Sequence, residues 1–95
     1  MPGKSPTDAG PVIEMYCNSW CPYCSAARDL LGGKQARVVE INVEEFPERR
    51  AEMIARSGRR TVPQIFIGAT HVGGYDDLAA LDRAGQLDPL LRANH

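Results

Sequence analysis

The chain has 95 residues, a formal net charge of -1 and 43% hydrophobic residues, which suits one small folded domain and not a disordered chain. So small a charge attracts neither nucleic acid nor an anionic membrane, and we expect neither as a partner. No stretch approaches the roughly 20 apolar residues of a membrane helix. Residues 1–10 are rich in proline and glycine and lack the apolar segment of a secretion signal; we expect a flexible tail there and a domain over residues 11–92.

The first half of the chain is predicted to form a strand over residues 11–16, a helix over residues 22–31 and a second strand over residues 38–43. Pro22 suits the first helical turn, where no amide donor is needed, and the pair Gly32-Gly33 is predicted to end the helix. In the second strand Val39, Ile41 and Val43 share one face, and the polar residues between them share the other. Together the three segments form a βαβ unit.

The second half has a helix, two short strands and two further helices, predicted over residues 47–57, 64–67, 70–72, 76–84 and 87–92. Gly68-Ala69 predicts a hairpin turn between the two strands, and Gly73-Gly74 breaks the chain before the next helix. The whole order predicts an α/β fold with a mixed sheet and helices on both faces.

The motif Cys21-Pro22-Tyr23-Cys24 lies where the first strand passes into the first helix. The free amides and partial positive charge of a helix start favour a thiolate at Cys21. Motifs of this kind lower a cysteine pKa from about 8.5 to roughly 3.5–7.5. Cys24 falls on the apolar stripe of the helix and should keep its proton longer. We therefore predict a redox-active pair in which Cys21 attacks and Cys24 resolves the mixed disulfide.

Other uses of the cysteines have less support. A structural zinc site needs four ligands, and the chain adds only Cys17, His71 and His95 to the motif. The spacing of Cys17, Cys21 and Cys24 resembles the cluster signature of radical SAM enzymes, which need a barrel larger than this chain. We expect no metal.

Cys17 is interpreted as a small apolar residue at a strand end, with regulatory oxidation as the alternative. An odd number of cysteines, all between Cys17 and Cys24, cannot join distant segments of the chain. This favours a reducing compartment, and we expect the cytoplasm.

Together with Thr61-Val62-Pro63 and Gly73-Gly74-Tyr75-Asp76-Asp77, the Cys-Pro-Tyr-Cys motif resembles the small bacterial dithiol glutaredoxins, over about residues 12–91. The resemblance implies a thioredoxin-like (glutaredoxin) fold with a four-stranded mixed sheet. It also implies a monomeric oxidoreductase that uses glutathione as co-substrate to reduce protein disulfides and glutathione mixed disulfides. Its partners would be glutathione and disulfide-containing or glutathionylated proteins.

The resemblance further implies a glutathione-binding groove. In the family a cis proline, here Pro63, presents the backbone of Val62 to the cysteine moiety of glutathione. The helix start after Gly74 suits the γ-glutamyl carboxylate, and an aspartate there suits the ammonium group. The implied glutathione-binding residues are Tyr23, Thr61, Val62, Pro63, Gly74, Tyr75, Asp76 and Asp77.

One position departs from the family. Many glutaredoxins carry a lysine three residues before the first active cysteine, whereas this chain has Asn18 there, so one expected cation is missing. Arg59 and Arg60 could partly replace it, or could be solvated loop charges. Trp20 either contacts partner proteins or packs on the helix.

Two other functions compete with disulfide reduction. A [2Fe–2S] carrier would bridge the cluster with Cys21 and glutathione from two subunits, but Pro22 argues against this within the family. A redoxin reduced by thioredoxin reductase would have no use for a glutathione groove.

Overall fold

The computed structural model describes residues 11–92, and the tail predicted for residues 1–10 lies outside the described residues, as do residues 93–95. The described elements are β1 (Ile13–Cys17), α1 (Pro22–Gly33), β2 (Val38–Asn42), α2 (Pro47–Ser57), β3 (Gln64–Ile67), β4 (Thr70–Gly73), α3 (Tyr75–Arg83) and α4 (Leu87–Arg92). None of these helices combines the length and apolar character that a membrane span requires.

The four strands form one mixed sheet in the order β2-β1-β3-β4. The strand β1 runs parallel to β2 and antiparallel to β3, and β3 pairs with β4 as an antiparallel hairpin. This confirms the predicted α/β architecture. The strand β1 is one of the two interior strands, and its last residue, Cys17, leads into the loop before α1.

Helices cover both faces of the sheet, as predicted. The face that carries Ile13, Met15 and Cys17 packs against α1, α3 and α4 through Cys24, Ala27, Leu31, Leu78 and Leu87. The opposite face packs Tyr16 and Phe66 against Met53 of α2. These side chains are almost fully removed from water. Their burial supplies the main stabilisation of so small a domain and fixes the helix starts relative to the sheet.

Several predicted element ends need correction. The first strand begins at Ile13 rather than residue 11, where pairing with Val38 starts, and it extends to Cys17. The first helix includes Gly32 and Gly33, because the left-handed residue that turns the chain away falls at Gln35 with φ 60°. The predicted ranges 38–43, 70–72 and 76–84 are each off by one residue at one or both ends, since β2 ends at Asn42, β4 ends at Gly73 and α3 spans Tyr75–Arg83.

In β2 Val39 shares a face with Ile41, as predicted, yet Val39 is 46% exposed whereas Ile41 is buried. The strand lies at the edge of the sheet, and Val39 pairs with Glu14, so its surroundings are polar. Glu40, on the other face, points toward α1 and pairs with Arg28. Edge strands tolerate such mixed faces because neither is completely covered.

Candidate active site

Cys21 occupies the N-cap position of α1, and its sulfur closes the first turn. The backbone N–H of Cys24 donates to Cys21 Sγ at 3.2 Å, and Pro22 fills the first helical position. No acidic residue lies in this first turn. The positive end of the helix therefore faces a sulfur that is partly exposed, as an attacking nucleophile must be.

Cys24 lies one turn inside the helix and is only 1% exposed. Its interaction with the Cys17 thiol, followed by its burial, raises the pKa of the Cys24 thiol. All three cysteines are free thiols in this structure. A protonated Cys24 behind an accessible Cys21 fits the predicted order, in which Cys21 reacts first.

The loop before β3 forms the second wall of the site. The Val62–Pro63 peptide bond is cis, which confirms the prediction for Pro63. The Val62 carbonyl accepts a hydrogen bond from Cys21 Sγ at 3.6 Å. This wall therefore meets the reactive sulfur directly.

Buried Gln64 secures the same loop from behind. Its side-chain nitrogen donates to the Thr61 carbonyl at 3.1 Å and to the Thr61 hydroxyl at 3.3 Å. Its side-chain oxygen lies 2.8 Å from His71 Nε2 of β4. The orientation of Thr61 is thus fixed from the sheet.

The start of α3 forms the third wall. The Gly74 N–H donates to Asp77 Oδ2 at 2.9 Å, and Arg59 Nη1 lies 3.1 Å from the same oxygen. The Gly74 N–H and then the Arg59 guanidinium lower the pKa of the Asp77 carboxyl. Asp77 therefore caps its own helix. Asp76 is the other acidic residue at this helix start, and it does not form that cap.

The three walls enclose an open groove of about 260 Å³. All eight residues for which the sequence implied glutathione contacts line it, and Arg59 completes the lining. The rings of Tyr23 and Tyr75 stack across it with their centroids 6.3 Å apart. One cation and two carboxylates beside apolar and backbone surface suit a small zwitterionic peptide.

Comparison with known proteins agrees with this geometry. Residues 13–72, more than half of the chain, match the family model described as Glutaredoxin. The chain belongs to the glutaredoxin family. A curated glutaredoxin from Pseudomonas aeruginosa is 53% identical over 83 residues, which are 87% of this chain and 99% of that protein.

Solved glutaredoxins share the fold. The solution structure of a Brucella melitensis glutaredoxin is 49% identical with a TM-score of 0.80, over 92% of this chain and 95% of that one. A buckwheat glutaredoxin–glutathione complex is 31% identical with a TM-score of 0.79, over 90% and 79% of the two chains. The fold is thus the thioredoxin-like fold of glutaredoxins, and the chain is a thiol oxidoreductase.

In this glutaredoxin the loop before the nucleophile is held by its own polar groups. The Asn18 side chain accepts a hydrogen bond from the Trp20 N–H at 3.0 Å, and the Ser19 N–H donates to Glu44 at 3.4 Å. Trp20 is 84% exposed, so it does not pack on the helix. It is a free aromatic surface beside the reactive cysteine.

The two arginines flagged by the sequence differ in position. Arg59 lines the groove at its α3 end, whereas Arg60 is not among the lining residues and its carbonyl accepts from Arg50 at 3.1 Å. Cys17 packs at 5% exposure in the same buried cluster as Cys24, as its interpretation as a small apolar residue at a strand end predicts.

Within residues 11–92 no group of three or more His, Cys, Asp and Glu side chains is placed to hold a metal ion.

Proposed function

We propose that this protein is a glutathione-dependent oxidoreductase that reduces protein disulfides and glutathione mixed disulfides. The observation that carries the proposal is the position of Cys21 Sγ, which accepts from the first turn of α1 and contacts the carbonyl of Val62, a residue that lines the groove. A reactive sulfur and a peptide-sized groove are thereby joined in one site.

In the dithiol mode, the Cys21 thiolate attacks a protein disulfide, and one half of that disulfide leaves as a thiol. Cys24 then attacks the Cys21 sulfur and displaces the other half, which forms the Cys21–Cys24 disulfide. One glutathione opens this disulfide to a mixed disulfide on Cys21, and a second releases oxidised glutathione. Each turnover consumes two glutathiones and yields two protein thiols.

In the monothiol mode, Cys21 attacks the glutathionyl sulfur of a modified protein, and the protein leaves as a thiol. A second glutathione then removes the glutathionyl group from Cys21 as oxidised glutathione. Cys24 takes no part in this cycle.

The groove supports one orientation for glutathione. Its cysteine moiety would lie along the backbone of Val62, next to the Cys21 sulfur. Its γ-glutamyl carboxylate would meet the start of α3 and Arg59, and its ammonium group would meet Asp76. The buckwheat relative solved in complex with glutathione supports this choice of ligand.

The test is a glutathione-coupled assay with two substrates, a protein disulfide and a glutathionylated peptide, on the wild type, Cys21→Ser and Cys24→Ser. We expect Cys21→Ser to lose both activities and Cys24→Ser to lose the first but keep the second. Equal loss of deglutathionylation in the two variants would overturn the assigned roles.

The two competing functions have distinct outcomes. A brown colour with iron–sulfur absorbance after anaerobic purification would favour a cluster carrier. Turnover with NADPH and thioredoxin reductase, but none with glutathione, would replace glutathione as the reductant. We further propose a cytoplasmic monomer; size-exclusion chromatography and cell fractionation test these two points.

A further inference from the structure

Three polar side chains, which we call the polar row, connect the edge strand β4 to the groove. Gln64, the first residue of β3, is fully buried in the middle of the row. Its side-chain oxygen lies 2.8 Å from His71 Nε2 on β4. Its side-chain nitrogen lies 3.1 Å from the Thr61 carbonyl oxygen and 3.3 Å from the Thr61 hydroxyl oxygen. Thr61 lines the groove, so the polar row runs from the edge of the sheet to the proposed ligand site.

A β-bulge places His71 in the polar row. The register of β3 and β4 shifts just before Phe66, which pairs with His71. In an unshifted ladder Phe66 would pair with Val72, and His71 would point to the other face of the sheet. The extra residue turns His71 to the face of Phe66, which Gln64 shares because it lies two residues earlier on the same strand. The rings of His71 and Phe66 stack there with their centroids 4.8 Å apart.

The positions of the protons follow from the groups that can only accept. The Thr61 carbonyl has no proton, so the Gln64 group that lies 3.1 Å from it must be the NH₂ group and not the oxygen. The Gln64 oxygen therefore faces His71, where it needs a donor. It follows that Nε2 of His71 carries a proton and donates it to Gln64.

The charge of His71 does not alter this direction. Burial and then the Arg59 guanidinium lower the pKa of the His71 ring, while Asp77 opposes them, so the ring is neutral at neutral pH. A neutral imidazole has a single N–H, which the contact with Gln64 assigns to Nε2. A protonated ring has a hydrogen on the same nitrogen. His71 therefore acts as a hydrogen-bond donor in both forms.

The Thr61 hydroxyl is the end of the polar row. Its oxygen accepts from the Gln64 NH₂ group at 3.3 Å. A hydroxyl whose oxygen accepts on one side has its own proton left to donate on another. Because Thr61 is exposed and lines the groove, that proton is available to a ligand there. A carbonyl or carboxylate oxygen of a peptide is the matching acceptor.

We propose that His71 and Gln64 are positioning residues for glutathione: the N–H of His71 orients the Gln64 amide, which holds the Thr61 carbonyl and leaves the Thr61 hydroxyl as a donor to the bound peptide. This inference rests on the proposed function and adds a hydrogen-bond donor to the wall of the groove. Neither His71 nor Gln64 lines the groove. The polar row should therefore change which thiol is preferred and not how Cys21 itself reacts.

The experiment measures the preference of Cys21 for glutathione over 2-mercaptoethanol, a small thiol without peptide groups. Each variant is made in the Cys24→Ser protein, so that a mixed disulfide on Cys21 cannot close to the Cys21–Cys24 disulfide. The protein is equilibrated with both thiols and their disulfides and quenched in acid, and the two mixed disulfides are quantified by mass spectrometry. Their ratio cancels any change in the reactivity of Cys21, because such a change affects both thiols alike.

In His71→Phe the ring can still stack on Phe66, but the donor is gone. Loss of one ordinary hydrogen bond changes an equilibrium constant about five-fold, so we expect the preference for glutathione to fall about three- to five-fold. His71→Gln places a side-chain NH₂ group near the position of Nε2 and should keep the preference of the parent protein. This rescue by an uncharged amide separates hydrogen-bond donation from charge and from ring packing.

Gln64→Met and Thr61→Val interrupt the polar row at its middle and at its end. Gln64→Met should lower the preference at least as much as His71→Phe, and the double variant should show no further loss, because His71 acts only through Gln64. Thr61→Val removes the last donor and should lower the preference about three- to five-fold. Thr70→Val is the matched control, since Thr70 is an exposed threonine of β4 outside the groove lining, and it should change nothing.

An unchanged preference in His71→Phe or in Thr61→Val would overturn the proposal. Additive losses in the double variant, or a loss in His71→Gln equal to that in His71→Phe, would overturn it as well. Circular dichroism checks that each variant is folded, and if Gln64→Met does not fold, the comparison of His71→Phe with His71→Gln decides alone. A Cys24→Ser protein with no preference for glutathione would refute the proposed function itself, a result distinct from a preference that these substitutions leave intact.

Discussion

The helices α1 and α3 both begin at the groove, yet different chemical groups close their first turns. At α1 the closing group is the Cys21 sulfur, and the first turn contains no acid. At α3 it is the Asp77 carboxylate, which also holds Arg59. An aspartate carboxylate is charged throughout the neutral pH range, whereas an ordinary cysteine thiol is largely uncharged there. The start of α1 therefore presents a reactive sulfur, and the start of α3 presents charged groups to the groove.

The clearest way to break the α3 start is Gly73→Ala. Gly73 has φ 115°, and an added Cβ would lie 2.8 Å from Asp77 Cγ, so the methyl group strains the backbone and displaces the cap. We expect a loss of about 2–3 kcal/mol in the free energy of unfolding, measured with urea.

Gly32→Ala is the matched control, because Gly32 lies in α1 with no atom within 4 Å of the added Cβ. This change should stabilise by roughly 0.5 kcal/mol. Equal effects of the two substitutions would show that the α3 start is not held as described.

Asp77→Asn tests the charge of the same cap. In the wild type the fold lowers the pKa of the Asp77 carboxyl. The stabilisation that this carboxylate contributes is therefore complete above the unfolded pKa of about 3.9, and it is lost as pH falls through the folded pKa. We expect the variant to lose about 1 kcal/mol at pH 7 and to approach the wild type near pH 3, by urea unfolding at both values. A gap that does not shrink in acid would contradict an ionised cap.

Arg59→Gln tests whether the fixed charges of the α3 start bind the ligand. Loss of the cation that lines the groove should raise KM for glutathione about three- to ten-fold with little change in kcat. Arg60→Gln is the control, because Arg60 lies outside the lining and should leave KM unchanged. An unchanged KM in Arg59→Gln would remove this residue from the proposed binding site.

The smallest expected effect is at α1. Ser25 is exposed near the start of this helix, so Ser25→Glu places a negative charge near the Cys21 sulfur without entering the groove lining. We expect alkylation of Cys21 at pH 6 to slow about two- to three-fold, and Ser25→Lys to accelerate it by a similar factor. Ser25→Gln is the neutral reference. Equal alkylation rates in all three would mean that charge at this helix start does not reach the sulfur.

Most of the fold could be predicted from short sequence patterns. Pro22 and the alternation of apolar residues in β1 place a helix start after a strand, and Gly58, with φ 72°, ends α2 as its position in the sequence suggests. Such features depend on a few neighbouring residues and can be read without the tertiary structure. The three groove segments were also found from the sequence, because each is a short motif.

Features that depend on distant contacts were not predicted. The direction of Glu40 depends on the register of an edge strand, and the burial of Cys17 and Cys24 in one cluster depends on how α1 packs across β1. The capping role of Asp77 likewise depends on the backbone conformation at Gly73, which the sequence alone does not give. Long-range geometry decided each of these, and no short pattern encodes it.

Trp20 is the only tryptophan of the chain, and it is almost fully exposed directly beside Cys21. Its fluorescence therefore comes from one place, next to the sulfur that changes oxidation state. A sulfur atom or a docked polypeptide so close to an indole ring alters the emission intensity. The protein thus contains a built-in optical probe, through which oxidation and partner docking can be followed in real time without an added label.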